Sequence, residues 1–266
     1  MTLLTEEQVQ ALRALIGLWG QEAFVLIGAS ALGCFLELRW RKTQDLDVAV
    51  LIPLEDYPAG LETLPGWQPD SRLEHRWHAP GNVAVDFIPI GDGVTDDTEI
   101  VWPKSGFRMS IVGLRLAFDK ARPLELASDA CIGVAPPVAI AILKMVAYLD
   151  RPHEREKDLE DLTHLLEEYL PADDDRRFSS DVVDLQMEYE EVGAYHLGRD
   201  IAEIAGAQEF EAVSKFVSRT LDEDDSAATL ARMARAGPLS WQDSPDVLLG
   251  RIKALERGLR SERRTK

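Results

Sequence analysis

The sequence predicts an α+β protein whose first half forms a mixed sheet with helices and whose second half is helical. Helical and strand patterns alternate up to about residue 120, whereas the apolar residues beyond that point recur at helical spacing. Pro136 and Pro137 open a strongly apolar segment, and proline is common at the first position of a helix. We expect two domains, over residues 1–125 and 126–266.

The first half begins with an amphipathic helix, because the apolar residues between 5 and 19 share one helical face. Short apolar runs predict the strands that follow, and the pairs Pro65-Gly66 and Pro80-Gly81 mark turns. The expected elements are helix 5–19, strand 24–27, helix 28–38, strand 45–52, helix 54–64, strands 72–77 and 82–90, and one or two strands within 109–118.

The second half is expected to consist of helices alone. Residues 138–149 form a strongly apolar helix, and a stripe of leucines from 159 to 166 continues to Tyr169. Residues beyond 181 keep helical spacing, with breaks near Gly206 and at Gly237-Pro238.

The composition is typical of a globular protein, with 45% apolar and 29% charged residues. No apolar run is long enough to span a bilayer, and the first residues lack the pattern of a secretory signal. We therefore expect a cytoplasmic protein with no membrane partner. Cys34 and Cys131 are not at the spacing of metal ligands.

The formal net charge of −18 argues against broad nonspecific binding to nucleic acid. The charge is uneven, since residues 150–191 hold sixteen acids and five bases, and residues 251–266 hold seven bases and two acids. The basic end either contacts RNA or an acidic partner, or is the solvated end of a helix.

Two aspartates, Asp45 and Asp47, stand at the start of the apolar run 45–52. Residues two apart on a strand share a face, so both carboxylates point the same way with Cα atoms roughly 7 Å apart. Like charges on a half-buried strand repel each other and lose hydration. A divalent cation is the simplest partner that makes this pair favourable.

Other residues suggest a site around this pair. Gly28 and Ser30 follow an apolar strand and open a helix, where glycine lets the backbone approach a ligand and helix-start amides favour phosphate. Asp86 interrupts the apolar strand 82–90, at a cost that needs compensation. Asp86 either completes a metal site as a third carboxylate or serves as a capping or salt-bridging residue.

Lys144 lies among apolar neighbours on the helix that begins at Pro137. It either extends outward to solvent or reaches into the cleft between the domains. Lys157, Asp158 and Asp161 share one side of the following helix, which a solvated salt-bridge face would also explain.

These motifs together resemble a known family. The runs that carry the resemblance are Gly28-Ala-Ser-Ala-Leu32, Arg41-Lys-Thr-Gln-Asp-Leu-Asp47, Val85-Asp-Phe87, Leu143-Lys-Met-Val-Ala-Tyr-Leu-Asp-Arg151 and Lys157-Asp-Leu-Glu-Asp-Leu162. They are similar to the DNA polymerase β-like nucleotidyltransferases and, within these, to the AbiEii/AbiGii group, whose characterised members are toxins of bacterial toxin–antitoxin and abortive-infection systems. The resemblance covers roughly residues 22–170.

The resemblance implies a polymerase β-like nucleotidyltransferase domain that transfers NMP from an NTP to an acceptor hydroxyl. It also implies two Mg²⁺ ions, and it assigns roles to individual residues. The implied metal ligands are Asp45, Asp47 and Asp86, the last on the acceptor side. Gly28 and Ser30 would contact the β- and γ-phosphates, Arg41 or Thr43 would steady the strand or the triphosphate, Lys144 would offset charge on the leaving phosphates, and Asp158 and Asp161 would position Lys144 or the acceptor.

One position departs from the family pattern, because Ala29 stands where the family has a second glycine or a serine. Alanine tolerates positive φ poorly, which makes the phosphate turn less open. Three functions stay open at this point. The first is a toxin-like enzyme that modifies RNA such as tRNA and is restrained by an antitoxin. The second is a nucleotidyltransferase for a small molecule such as an aminoglycoside, and the third is a catalytically silent nucleotide-binding or antitoxin partner.

Overall fold

The structure, a computed structural model, describes residues 4–38, 43–91, 98–127, 130–222, 226–237, 241 and 245–261. The chain divides into two compact units, Met1–Ile140 and Ala141–Lys266. The division expected at residues 125/126 falls inside a strand of the first unit, so the sheet extends further along the chain than the sequence pattern indicated. The predicted α+β class is confirmed, with a mixed sheet followed by a helical region.

The first unit is built on a seven-stranded mixed sheet. The strands are β1 (Phe24–Ile27), β2 (Leu46–Val50), β3 (Gln68–Pro69), β4 (Arg76–Ala79), β5 (Val83–Pro89), β8 (Arg122–Ala127) and β9 (Ala130–Val134); β6 (Glu99–Val101) and β7 (Arg108–Ser110) pair as a separate ribbon. The strand order in the sheet is β3-β4-β5-β2-β1-β9-β8. Its two central pairs differ in direction, because β1 is antiparallel to β2 whereas β2 is parallel to β5. The helices are α1 (Glu6–Trp19), α2 (Gly28–Leu32), α3 (Tyr57–Leu61) and α4 (Leu114–Asp119).

Strand β5 shows why the sheet has two different faces. Its odd-numbered residues are buried and its even-numbered residues are half-buried, as expected for a side-chain period of two. On the buried face, the Phe87 ring lies about 6 Å from three other aromatic rings, those of Trp19, Tyr57 and Trp67. This aromatic cluster fixes one face of the sheet and leaves the other for Asp86 and its neighbours.

Four predicted elements differ from the structure. The strand expected over 72–77 is β4, which begins only at Arg76 and ends at Ala79. The helix expected over 28–38 is only the five residues of α2, which ends before Gly33, a residue of low helix propensity. The helix expected over 54–64 shortens to α3. The segment 109–118 contains the end of β7 and then α4, because Gly113 adopts φ +87° and turns the chain into a helix that buries Leu114 and Ala117.

The regular secondary structure of the second unit is helical in its described residues. Its longer helices are α5 (Pro137–Asp150, which begins in the first unit), α6 (Glu156–Glu168), α8 (Val192–Ile204), α9 (Ala207–Leu221), α10 (Ser226–Ala236) and α11 (Pro245–Ser261), with the short α7 (Ser180–Asp184) between them. Searched over the part of the chain that the structure describes, no helix combines the length and the apolar character needed to cross a bilayer.

Helices α8 and α11 cross at backbone distance because each contributes a glycine. A Cβ atom on Gly198 would overlap the carbonyl oxygen of Leu255, and a Cβ on Gly258 would overlap that of Tyr195. In both cases the obstacle is backbone, which cannot move aside as a flexible side chain can.

We predict that Gly198→Ala destabilises the protein by about 1–3 kcal/mol or more, because the added methyl overpacks a backbone contact. Gly17→Ala is the matched control, since nothing lies within 4 Å of a Cβ at this helical position. That variant is expected to gain about 0.5–1 kcal/mol from improved helix propensity. Urea unfolding measures both, and equal midpoints for the two variants would contradict the proposed crossing.

Candidate functional site

The parallel pairing of β2 and β5 places Asp47 and Asp86 directly opposite each other. Partners in register project to the same face of a sheet, and here it is the half-buried face. Asp45 precedes β2 by one residue, and its side chain is 45% exposed. The three carboxylates that the sequence singled out therefore gather at one part of the sheet.

Arg76 lies among these carboxylates and was missed by the sequence analysis. Its Nε donates to Asp86 Oδ1 at 2.6 Å and its Nη2 to Asp86 Oδ2 at 2.7 Å, while Nη2 also lies 3.4 Å from Asp45 Oδ2. Hydrogen bonding to Asp86, with the charges of Asp86, Asp45 and Asp47, raises the pKa of Arg76 above its ordinary value against the opposing effect of burial. The guanidinium is thus a permanent cation within the cluster.

The register of the β4–β5 hairpin explains this position. Its turn is the three-residue segment Pro80–Asn82, in which Gly81 and Asn82 adopt positive φ, so that Arg76 pairs with Asp86. A turn of only two residues, Pro80 and Gly81, would have placed His75 opposite Asp86 instead. The pairing of Arg76 with Asp86 could be predicted from the sequence only if the number of residues in this turn were known.

The small residues after β1 support the aspartate pair from the other side. Gly28 has φ +67°, and a Cβ there would lie 2.7 Å from the carboxyl carbon of Asp47, so the absence of a side chain makes room for that carboxylate. Ser30 is buried, and its hydroxyl donates to the backbone carbonyl of Asp45 at 2.6 Å. Both residues position the start of β2, and their contact with phosphate stays a prediction.

The two remaining candidates near the strand have different outcomes. Arg41 lies outside the described residues. Thr43 is described, and among the described residues its Oγ1 is a buried atom that has no hydrogen-bond partner. A buried hydroxyl without a partner is costly, so it is available to a ligand or to water.

The donor chemistry of the cluster suits Mg²⁺, which prefers oxygen ligands. Within the described ranges, no three His, Cys, Asp or Glu side chains form a group that could hold a metal ion. Arg76 offers a reason, since it engages both oxygens of Asp86. Because Mg²⁺ is commonly held by one or two carboxylates together with substrate phosphates, Asp45 and Asp47 fit as its protein ligands.

Lys144 belongs to a separate charged group inside the second unit. Its side chain is 5% exposed, and its Nζ lies 3.1 Å from Asp158 Oδ1 and 2.6 Å from Asp161 Oδ2. Asp161 is fully buried. The prediction that Lys144 extends outward to solvent is wrong, because its amine contacts two carboxylates on successive turns of α6. The predicted contacts of Lys144 and Asp158 with a nucleotide stay predictions.

Comparisons with known proteins give only distant similarities. No family model and no curated protein match the chain. Among solved structures, a candidate nucleotidyltransferase from H. pylori aligns at 12% identity over 99% of both chains, with a TM-score of 0.43. JHP933 from Helicobacter pylori aligns at 14% identity over 98% of this chain and 96% of that one, also with a TM-score of 0.43.

An antigenic nucleotidyltransferase-like protein from Paracoccidioides brasiliensis aligns at 13% identity over 94% of each chain, with a TM-score of 0.40. Similarity at this level does not assign an activity. The functional proposal therefore depends on the chain's own residues.

We predict that Gly28→Ala costs more stability than Gly91→Ala. Both glycines have nearly the same positive φ, so both substitutions carry the cost of about 1–2 kcal/mol for an L residue in this region. Only at Gly28 does the new methyl meet the Asp47 carboxylate, which adds about 1–3 kcal/mol. Thermal unfolding compares the two, and equal losses would show that Gly28 leaves no space that Asp47 needs.

We predict that Lys144→Met destabilises the protein by about 3–5 kcal/mol, because it leaves the buried Asp161 without its cation. Glu154→Gln serves as control, since it breaks the more exposed pair with Arg151 and should cost less than about 1 kcal/mol. Chemical denaturation measures both variants. A loss for Lys144→Met as small as that of the control would refute the buried pairing.

Proposed function

We propose that the chain is a Mg²⁺-dependent nucleotidyltransferase that moves NMP from an NTP to an acceptor hydroxyl. The observation that carries the proposal is the register of β2 and β5, which sets Asp47 opposite Asp86 with Asp45 one residue before β2. Three carboxylates on a half-buried sheet face are unfavourable without cations. The resemblance of the surrounding motifs to polymerase β-like enzymes gives this arrangement its chemistry.

In the proposed reaction, the acceptor oxygen forms a bond to the α-phosphorus of the NTP as the bond to the bridging oxygen breaks, and pyrophosphate leaves. Asp45 and Asp47 hold the metal, and Mg²⁺ when bound supplies neutralisation of the phosphate oxygens. Asp86 accepts the proton of the attacking hydroxyl, in an orientation set by Arg76.

Other residues serve the nucleotide in this proposal. The backbone at Gly28, beside Asp47, is available for phosphate oxygens. So is the Thr43 hydroxyl, which has no hydrogen-bond partner among the residues that the structure describes. Ser30 acts through Asp45, whose carbonyl it holds. Lys144 keeps the role that the family resemblance gives it, offsetting charge on the leaving phosphates, and Asp158 positions its amine.

The acceptor of first choice is RNA such as tRNA, as the resemblance to AbiEii-type toxins implies, with a cognate antitoxin as restraining partner. A cationic small molecule is the second candidate, because the segment 173–191 is strongly acidic. Both of its bases are engaged internally, Arg176 with Asp174 and Asp200, and Arg177 with backbone carbonyls. That acidic surface suits a positively charged acceptor.

We predict that Asp47→Asn and Asp45→Asn each lower nucleotidyl transfer more than about 100-fold. Loss of groups that only support metal ligands already costs about 10–100-fold, and these are proposed as the ligands themselves. Each variant should stay folded, because asparagine keeps the size of the side chain and relieves the repulsion between like charges in the cluster. The assay incubates the protein with Mg²⁺, each α-³²P-labelled NTP in turn, and either total bacterial tRNA or an aminoglycoside.

Asp56→Asn is the matched control, since Asp56 is an exposed residue of the same unit and its side chain makes no capping hydrogen bond. It should retain full activity. Label in tRNA names RNA as the acceptor, and label in the aminoglycoside names the small molecule. Transfer that persists in Asp47→Asn would exclude the role of Asp47 as a metal ligand. If wild type transfers label to neither acceptor and does not bind NTP in the presence of Mg²⁺, the protein is catalytically silent.

A further inference from the structure

The candidate site contains one positively charged side chain, Arg76, whose relation to the bound metal the proposed reaction does not explain. Arg76 donates to both oxygens of Asp86, in the bidentate arrangement that makes arginine–carboxylate pairs strong and directional. We propose that Arg76 takes the place of a second metal ion, so that the chain binds a single divalent cation, at Asp45 and Asp47. The inference rests on the proposed function and departs from the two ions that the family resemblance implies.

The geometry favours this reading because Asp86 has little room for a second cation. Its side chain is 13% exposed, and the contacts to Arg76, at 2.6 and 2.7 Å, engage one lone pair on each of its oxygens. His75 Nε2 lies 4.0 Å from Asp86 Oδ2. A metal ion on the remaining lone pairs would lie beside the guanidinium charge in a part-buried position, where like charges repel each other strongly.

The backbone holds Arg76 in place. Its N–H donates to the Leu73 carbonyl at 3.0 Å, and its own carbonyl accepts from Asp70 N at 2.9 Å. The next residue, Trp77, is buried and pairs with Val85 on β5 and with Pro69 on β3. Arg76 therefore sits on a strand paired on both sides, and only its side-chain torsions are free to move the guanidinium away.

The charge of the cluster is consistent with one ion. The three carboxylates and the Arg76 guanidinium sum to a formal charge of −2 among the described residues, and one divalent cation balances that charge. Asp86 has the least need of a metal ion, because Arg76 already compensates its charge. Asp45 is 45% exposed and therefore accessible to an incoming metal–nucleotide complex. Arg76 then acts as a positioning residue that aims Asp86 at the acceptor hydroxyl.

The test counts metal ions directly. Wild-type protein and variants are dialysed to equilibrium against Mn²⁺ with a saturating nucleoside α,β-methylene triphosphate, and the metal bound per chain is measured by atomic absorption. We expect one Mn²⁺ for wild type and two for Arg76→Gln, because the substitution removes the positive charge that lies beside the Asp86 carboxylate. Arg76→Lys, which keeps the charge, should bind one.

Arg72→Gln is the matched control, because Arg72 is exposed, lies four residues earlier and loses the same charge. It should bind one ion, as wild type does. Circular dichroism verifies that each variant is folded. If Arg76→Gln does not fold, Arg76→Met is measured in its place, with the same expectation of two ions.

Two ions in wild type would overturn the role of Arg76 while leaving the proposed function standing. One ion in both wild type and Arg76→Gln would also overturn it, because Arg76 would then not be what excludes the second metal. No ion in wild type in the presence of nucleotide would instead refute the metal-dependent function itself, and the inference with it.

Discussion

The pairing of Arg76 with Asp86 across β4 and β5 is the interaction on which the candidate site depends. Asp86 faces Asp47 on the neighbouring strand, so the sheet holds two like charges side by side in partly buried positions. Without a compensating cation, this face would favour protonation or separation of the strands. With Arg76 in place, the carboxylates can be held ready before any ligand arrives.

Much of this arrangement follows from local rules that operate in the sequence. Strand alternation alone requires Asp45 and Asp47 to share a face, and the same alternation separates Asp86 from Phe87. Arg76 escaped prediction because its partner depends on whether a turn contains two residues or three. The α4 helix escaped because Leu114, Leu116 and Phe118 alternate as they would in a strand, while a glycine before them decides otherwise.

Long-range packing set the limit for the rest of the site. The sequence left Lys144 with two destinations, and only the tertiary position of α6 shows that Asp158 and Asp161 surround its amine. Likewise, no pattern in the sequence indicated that the Ser30 hydroxyl donates to the Asp45 carbonyl. Polar side chains find partners that are distant in sequence, and a pattern within one segment carries no information about them.

Adjacent residues of β5 serve opposite sides of the sheet, with Asp86 among charges and Phe87 among aromatic rings. A slip of this strand by one residue during folding would move the carboxylate into an apolar interior and the phenyl ring toward a guanidinium. Burial of the charge and loss of the aromatic packing are both unfavourable, so each one disfavours an incorrect register of β5. Asp86 and Phe87, which serve the site and the core in the folded protein, thus also select the correct register of β5 during folding.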